Sequence, residues 1–137
     1  LSHVVADASL CAAWILPDEA SGRAEKLLAA ISAGTVGLFV PALWHYEMNN
    51  LLRSAVRRKR MSPENAQSAL EALSAVPILH EDSPEATARR RIFHLAGQFS
   101  LSSYDASYLE LADRFKIPLF TSDVKLGQAA AQLGLAP

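Results

Sequence analysis

At 137 residues the chain has the length of one domain, and with half its residues apolar it can bury a core of its own. A formal charge of −1 excludes a protein that coats nucleic acid or a membrane surface through bulk charge, so any affinity for RNA or DNA has to come from local patches. The lone cysteine, Cys11, can form neither an internal disulfide nor a thiolate metal site and reads as a buried structural residue.

No apolar run reaches the roughly 18 residues of a membrane-spanning helix. Residues 1–9 lack the basic start of a signal peptide, so a cytoplasmic location is expected.

Residues 3–6 are a β-branched run that predicts a first strand ending at Asp7. The Asp7 carboxylate either caps the helix that follows or stands at the strand tip for a ligand. Residues 8–16 continue as a mostly apolar helix that stops before Pro17. Ala24, Leu27, Leu28 and Ile31 give residues 23–32 helical spacing, with Gly34 just past the end. Residues 36–40 predict a second strand. Pro41 then opens the longest helix, expected to run to about Lys59, with Leu43, Trp44, Met48, Leu51, Leu52 and Ala55 on its apolar face. Glu47 sits in or beside that stripe. It either reaches solvent at the edge or turns into a polar pocket, with Asn50 on the same face to orient it. Arg57-Arg58-Lys59-Arg60 closes the helix, as cations that suit its C-terminus or as phosphate contacts.

Ser62 and Pro63 mark a helix start, and Ala66, Leu70 and Leu73 carry the core side towards Val76. Residues 77–79 predict a short third strand. Ser83-Pro84-Glu85 repeats the start signal for a helix running through the apolar Ile92, Phe93 and Ala96. On it Arg89, Arg90 and Arg91 form a second basic cluster, either solvated or phosphate-binding. Tyr104, Tyr108, Leu111, Ala112 and Phe115 give the next helix one apolar face. Asp105 lies in its first turn behind Ser102, in the pattern of a capping box. Residues 117–120 are a short apolar run whose Pro118 predicts an edge strand or a strand start, and the run ends in Thr121-Ser122-Asp123. Residues 126–133 form the last helix, Gly134 stops it, and the remainder has room for a final strand. Strands alternating with helices predict an α/β fold, a parallel sheet with helices on both faces and right-handed crossovers.

In such a sheet Asp7 and Asp123 emerge at one edge, the edge that helix N-termini also face, which brings Asp105 there. Gathering these acids with Glu47 costs repulsion unless a cation joins them. Mg²⁺ suits the donors, because it is a hard ion held by one or two carboxylates, waters and substrate phosphate. Such a site can activate water against a phosphodiester. Ser9 and Ser122 are placed to hydrogen-bond a carboxylate, a water or the phosphate. Phosphoryl transfer to aspartate is a rival chemistry. Haloacid-dehalogenase-like folds need a second Asp two residues after the first, where this chain has Ser9, and receiver domains need an acid pair that is also missing.

Four stretches, in order, carry a resemblance: Val4-Val5-Ala6-Asp7-Ala8-Ser9, Tyr46-Glu47-Met48-Asn49-Asn50-Leu51-Leu52, residues 104–112 around Asp105, and Pro118-Leu119-Phe120-Thr121-Ser122-Asp123. With them the sequence resembles the PIN-domain ribonucleases, in particular the VapC-like toxins of toxin–antitoxin pairs. The resemblance implies a single PIN domain over residues 1–137, a three-layer α/β/α sandwich on a short parallel sheet of four to five strands. It also implies a Mg²⁺- or Mn²⁺-dependent endoribonuclease cutting single-stranded or loop RNA, a homodimer, and a cognate antitoxin whose C-terminal segment blocks the acidic site. Carried over by residue, the catalytic and metal-holding acids are Asp7, Glu47, Asp105 and Asp123, supported by Ser9, Asn50 and Ser122. Arg57, Arg58, Arg89 and Arg90 are candidate contacts for RNA or antitoxin. The alternative is a catalytically silent PIN-like domain that only binds nucleic acid or a protein. Such a domain is expected to lose one or more of the acids, and this chain keeps all four.

Overall fold

β1 (Ser2–Ala6) and β2 (Val36–Pro41) form the centre of a parallel sheet, flanked by β3 (Ile78–Glu81) and the two-residue edge strand β4 (Leu119–Phe120), in the order β3-β2-β1-β4. The structure is a computed structural model that describes residues 2–137. Val4, Val5 and Ala6 are all buried, the pattern of a central parallel strand covered on both faces. The register pairs Val5 with Phe39 and with Leu119, and Phe39 with Leu79, so the four strands end at a common edge.

The crossovers run through α1 (Ala8–Cys11), a following 3₁₀ turn and α2 (Gly22–Ser32), then α3 (Leu43–Arg57) and α4 (Pro63–Ser74), then α5 (Ala86–Phe99) and α6 (Ser103–Phe115). α7 (Val124–Gln132) closes the chain. From β1 to β3 the chain steps in one direction across the sheet, and from β3 to β4 it steps back. Right-handed crossovers therefore place α1–α4 on one face and the α5–α6 hairpin on the other, giving the three-layer α/β/α sandwich. The direction reverses between β1 and β4, and their carboxyl ends open the crevice where such sheets bind ligands.

Local signals account for most boundaries. Ser21, Ser62 and Ser102 cap α2, α4 and α6, each accepting from a backbone N–H three residues on. Gly34 takes a φ of 77° just past α2, a conformation that costs glycine little. Pro118 precedes β4, and its carbonyl accepts from Val5 N at 2.8 Å, so the edge placement holds. Cys11 is fully buried, and burial pushes its thiol up.

Several boundaries differ from those expected of the sequence. Pro41 ends β2 instead of opening α3; its fixed φ also suits extended backbone, and the helix starts two residues later at Leu43. Ser83-Pro84 does not start α5, whose N-cap is Glu85 without a side-chain bond, while the Pro84 carbonyl accepts from Arg89. The residues after α7 form no fifth strand, although Leu119 N donates to the Leu135 carbonyl at 2.9 Å. Spacing puts Tyr104, Phe115 and Phe93 on apolar faces, yet they are 66%, 48% and 74% exposed. The neighbouring elements cover only part of each stripe.

Candidate functional site

Asp7 leaves the carboxyl end of β1 into the crevice and is only 4% exposed. It acts as the N-cap of α1, with Oδ1 accepting from Leu10 N at 3.2 Å and from Ser9 Oγ at 2.8 Å. Thr121 Oγ1 donates to Oδ2 at 2.7 Å from the end of β4. The two readings of Asp7 are compatible, because these bonds occupy Oδ1 and leave a lone pair on Oδ2 for a ligand. Burial pushes its carboxyl above the usual range, the three hydrogen bonds offset part of the shift, and Asp105 adds to it.

The same hydroxyls tie the two strand ends together. Thr121 Oγ1 accepts from Asp123 N at 3.0 Å, and Ser9 Oγ accepts from Ser122 N at 3.1 Å. Asp123 caps α7 through Oδ1, which accepts from Leu126 N at 2.8 Å, so Oδ2 is free to face the crevice. Ser122 contributes its backbone N–H, and its side chain is exposed. Thr121 is a site residue that the sequence reasoning missed. The signal available for it was its place between an apolar run and two predicted site residues.

Glu47 resolves towards the pocket. It is half-buried, and the Tyr108 hydroxyl donates to Oε1 at 2.5 Å. Burial raises the Glu47 carboxyl, Tyr108 offsets this, and Asp105 and Asp7 raise it further. Burial and the carboxylate push the Tyr108 phenol up in turn. Asn50 does not orient Glu47: it is exposed and makes no side-chain hydrogen bond among the described residues, and Tyr108, a core residue by its spacing, does so instead. Asp105 lies in the first turn of α6, where its backbone N–H donates to Ser102 Oγ at 3.0 Å. Burial raises its carboxyl, and Asp123 raises it further.

All four acids are therefore linked in one field. Asp7 feels Asp105, Glu47 feels both of these, and Asp105 feels Asp123. No lysine, arginine or histidine is among the charges acting on Asp7, Glu47 and Asp105, and none of the four has an ion pair among the described residues. Nor are any three acid, histidine or cysteine side chains among the described residues drawn together tightly enough to close directly on one ion. The donor set is carboxylate and hydroxyl oxygen throughout. It fits Mg²⁺ or Mn²⁺ held by one or two carboxylates with water completing the shell, and not a dehydrated cage.

The basic residues do not converge on the crevice. Arg57 and Arg58 lie at the far end of α3, about 20 Å along the helix from the edge where it begins. Arg89 and Arg90 are exposed on the second turn of α5. A second cluster of acids is close by and has its own cation. Arg114 donates through Nε and Nη2 to Glu110, both at 2.8 Å, and through Nη1 and Nη2 to Glu81 at 2.6 and 2.8 Å.

The PIN domain family profile matches residues 4–132. VapC ribonuclease Mb0985 of Mycobacterium bovis is 31% identical over 137 residues, covering 98% of both chains. Ribonuclease VapC9 of Mycobacterium tuberculosis matches to the same extent, 31% over 98% of both chains. Ribonuclease VapC3 of Pyrobaculum aerophilum is 30% identical, with 91% of this chain and 92% of the relative covered. The crystal structure of PAE2754 from Pyrobaculum aerophilum superposes with a TM-score of 0.68 over 94% of this chain and 84% of that one, at 22% identity, a likeness of fold.

Proposed function

The chain belongs to the PIN domain family, and on that footing we propose that it is a divalent-metal-dependent endoribonuclease, the toxin of a toxin–antitoxin pair, acting on single-stranded or loop RNA. The observation that carries the reading is the crevice itself: four carboxylates at the point where strand direction reverses, with those of Asp7, Glu47 and Asp105 raised by burial and by neighbouring acids and none of the four in an ion pair among the described residues.

Asp7, Asp105 and Asp123, with Glu47, would hold Mg²⁺ or Mn²⁺. Such an ion, when bound, supplies Lewis acidity at the phosphodiester and makes water more acidic. Ser9 and Thr121 fix the rotamer of Asp7 by donating to both its oxygens. Tyr108 fixes Glu47 through Oε1 and leaves Oε2 open. Burial raises this carboxyl, which favours Oε2 taking a proton from the attacking water, the behaviour expected of a general base. The Thr121 bridge to Asp123 N keeps the two strand tips in register, so that Asp7 and Asp123 approach the same phosphate.

The likeness to VapC ribonucleases supports a cognate antitoxin as partner, and a homodimer in the cytoplasm is part of the same proposal. Among the described residues no helix is long and apolar enough to cross a membrane. The test is cleavage of an unstructured RNA by the purified protein in Mg²⁺, in Mn²⁺ and in excess EDTA. Cleavage is expected with either metal and not in EDTA, and equal cutting in EDTA would overturn the metal mechanism.

A further inference from the structure

The outward face of α5 carries a combination that the crevice does not use. Phe93 is 74% exposed, and the His94 ring stands edge-on to it at 6.0 Å. Arg89 and Arg90 precede it by one turn of the helix. Together with Ala86 they line a shallow concavity of about 280 Å³. Arg89 Nη1 donates to the Pro84 carbonyl at 2.8 Å, and Arg90 reaches only Thr87 Oγ1 at 3.5 Å. Arg60, Arg91 and Arg114 each meet a carboxylate, whereas Arg89 and Arg90 meet none among the described residues. Two guanidinium charges without counter-charges thus flank an exposed aromatic ring.

We propose that this face is an RNA-binding exosite, in which Phe93 stacks on an unpaired base and Arg89 and Arg90 hold the flanking phosphates. The choice of RNA rests on the ribonuclease reading of the crevice. Three features favour a single-stranded polyanion. An aromatic ring beside free arginines offers the two interactions that such ligands use, base stacking and phosphate pairing. A second copy fits poorly, since a two-fold interface through this patch would bring the Arg89–Arg90 pairs of both copies against one another. The location also suits a substrate strand. Arg91 meets Asp113 near the end of α6, so the first turns of α5 stand about 12 Å along that helix from Asp105 in its first turn, a span that a few nucleotides can bridge. A crevice lined with carboxylates repels phosphate until a metal is bound, and a basic anchor set apart from the acids offsets that repulsion for the rest of the strand.

The test reads binding apart from cleavage. An unstructured, fluorescently labelled RNA of about 16 nucleotides is titrated in EDTA with Asp105→Asn protein carrying Phe93→Ala, Phe93→Trp, or Arg89→Ala with Arg90→Ala. Phe93→Ala should weaken binding about tenfold with its salt slope unchanged, and Phe93→Trp should restore it. The double arginine variant should flatten the salt dependence by about 0.7 for each phosphate that no longer has an arginine partner. Binding that depends on Phe93 supports the exosite even if the wild-type protein proves unable to cleave, so failure of the ribonuclease reading is seen separately. Binding equal to the parent in all three variants overturns the proposal. A change in sedimentation on Phe93→Ala with RNA binding intact overturns it too, and marks the face as an interface between copies.

Discussion

Two groups of carboxylates lie at the same end of this sheet, and they are balanced in opposite ways. Around Arg114, Glu81 and Glu110 share a single guanidinium that donates to every one of their oxygens, and the two carboxylates hold it charged well above its usual pKa. Around Asp7, the neighbours are hydroxyls, a phenol and backbone N–H groups, and the field of the other acids goes unanswered. The first arrangement is complete within the fold and stabilises it. The second is incomplete, with the carboxyls of Asp7, Glu47 and Asp105 raised mainly by burial and secondarily by neighbouring acids. A fold that can neutralise one acid pair with an arginine, yet leaves four acids without one a short way off, has left the second group for a cation from solution.

This contrast is tested most directly by activity. Asp105→Asn keeps the side-chain shape and removes one charge from the crevice. Cleavage should fall by more than about 100-fold, because even partners outside a metal's ligand set cost about 10–100-fold. Full activity in this variant would remove the crevice from the mechanism. Tyr108→Phe probes the same cluster from its neutral side: Glu47 loses the donor that positions it, and activity should drop about 10–100-fold with the fold intact.

Stability should respond with opposite signs at the two clusters. Arg114→Met strands Glu81 and the buried Glu110, and should cost about 2 kcal/mol in chemical denaturation. This is below the ~3–5 kcal/mol of a fully buried pair, since the Arg114 and Glu81 side chains remain 34% and 24% exposed. Asp7→Asn should raise the metal-free melting midpoint by a few degrees, because a buried charge and its repulsion are relieved. Mg²⁺ should stabilise the wild type and much less this variant. Melting curves in EDTA and in Mg²⁺ check both, and a lower midpoint for Asp7→Asn in EDTA would mean that its hydrogen bonds outweigh its charge.

The smallest effect is a pH dependence. In metal-free protein Asp7 and Asp105 are raised from 3.8 and Glu47 from 4.5. The native state therefore holds more protons than the unfolded chain just above these values. The stabilisation is present below them and is lost as pH rises through the folded-state pKa values. The midpoint difference between Asp7→Asn and wild type should accordingly widen as pH increases across that window. A constant difference from acid to neutral pH would count against a raised Asp7.

Whatever depends on near neighbours was legible in the chain alone. Asp7 after a β-branched run, Ser102 three residues before Asp105, and Asp123 before a helix are local patterns, and each is seen as a cap or strand tip in the structure. Alternating strands and helices were enough for a parallel α/β sheet, and Pro118 for an edge strand, because handedness and hydrogen-bond donors restrict the choices. Which distant groups meet was decided by the packing of the whole fold. Tyr108 reaches Glu47 across 61 positions, Thr121 reaches Asp7 across 114, and Arg114 reaches Glu81 across 33. Spacing places Tyr108 on a core face and Asn50 beside Glu47, but whether a side chain on a helix finds an acid or solvent depends on what packs against it. The same reason exposes Phe93 and Tyr104: periodicity defines a stripe, and the width of the neighbouring elements sets how much of that stripe is buried.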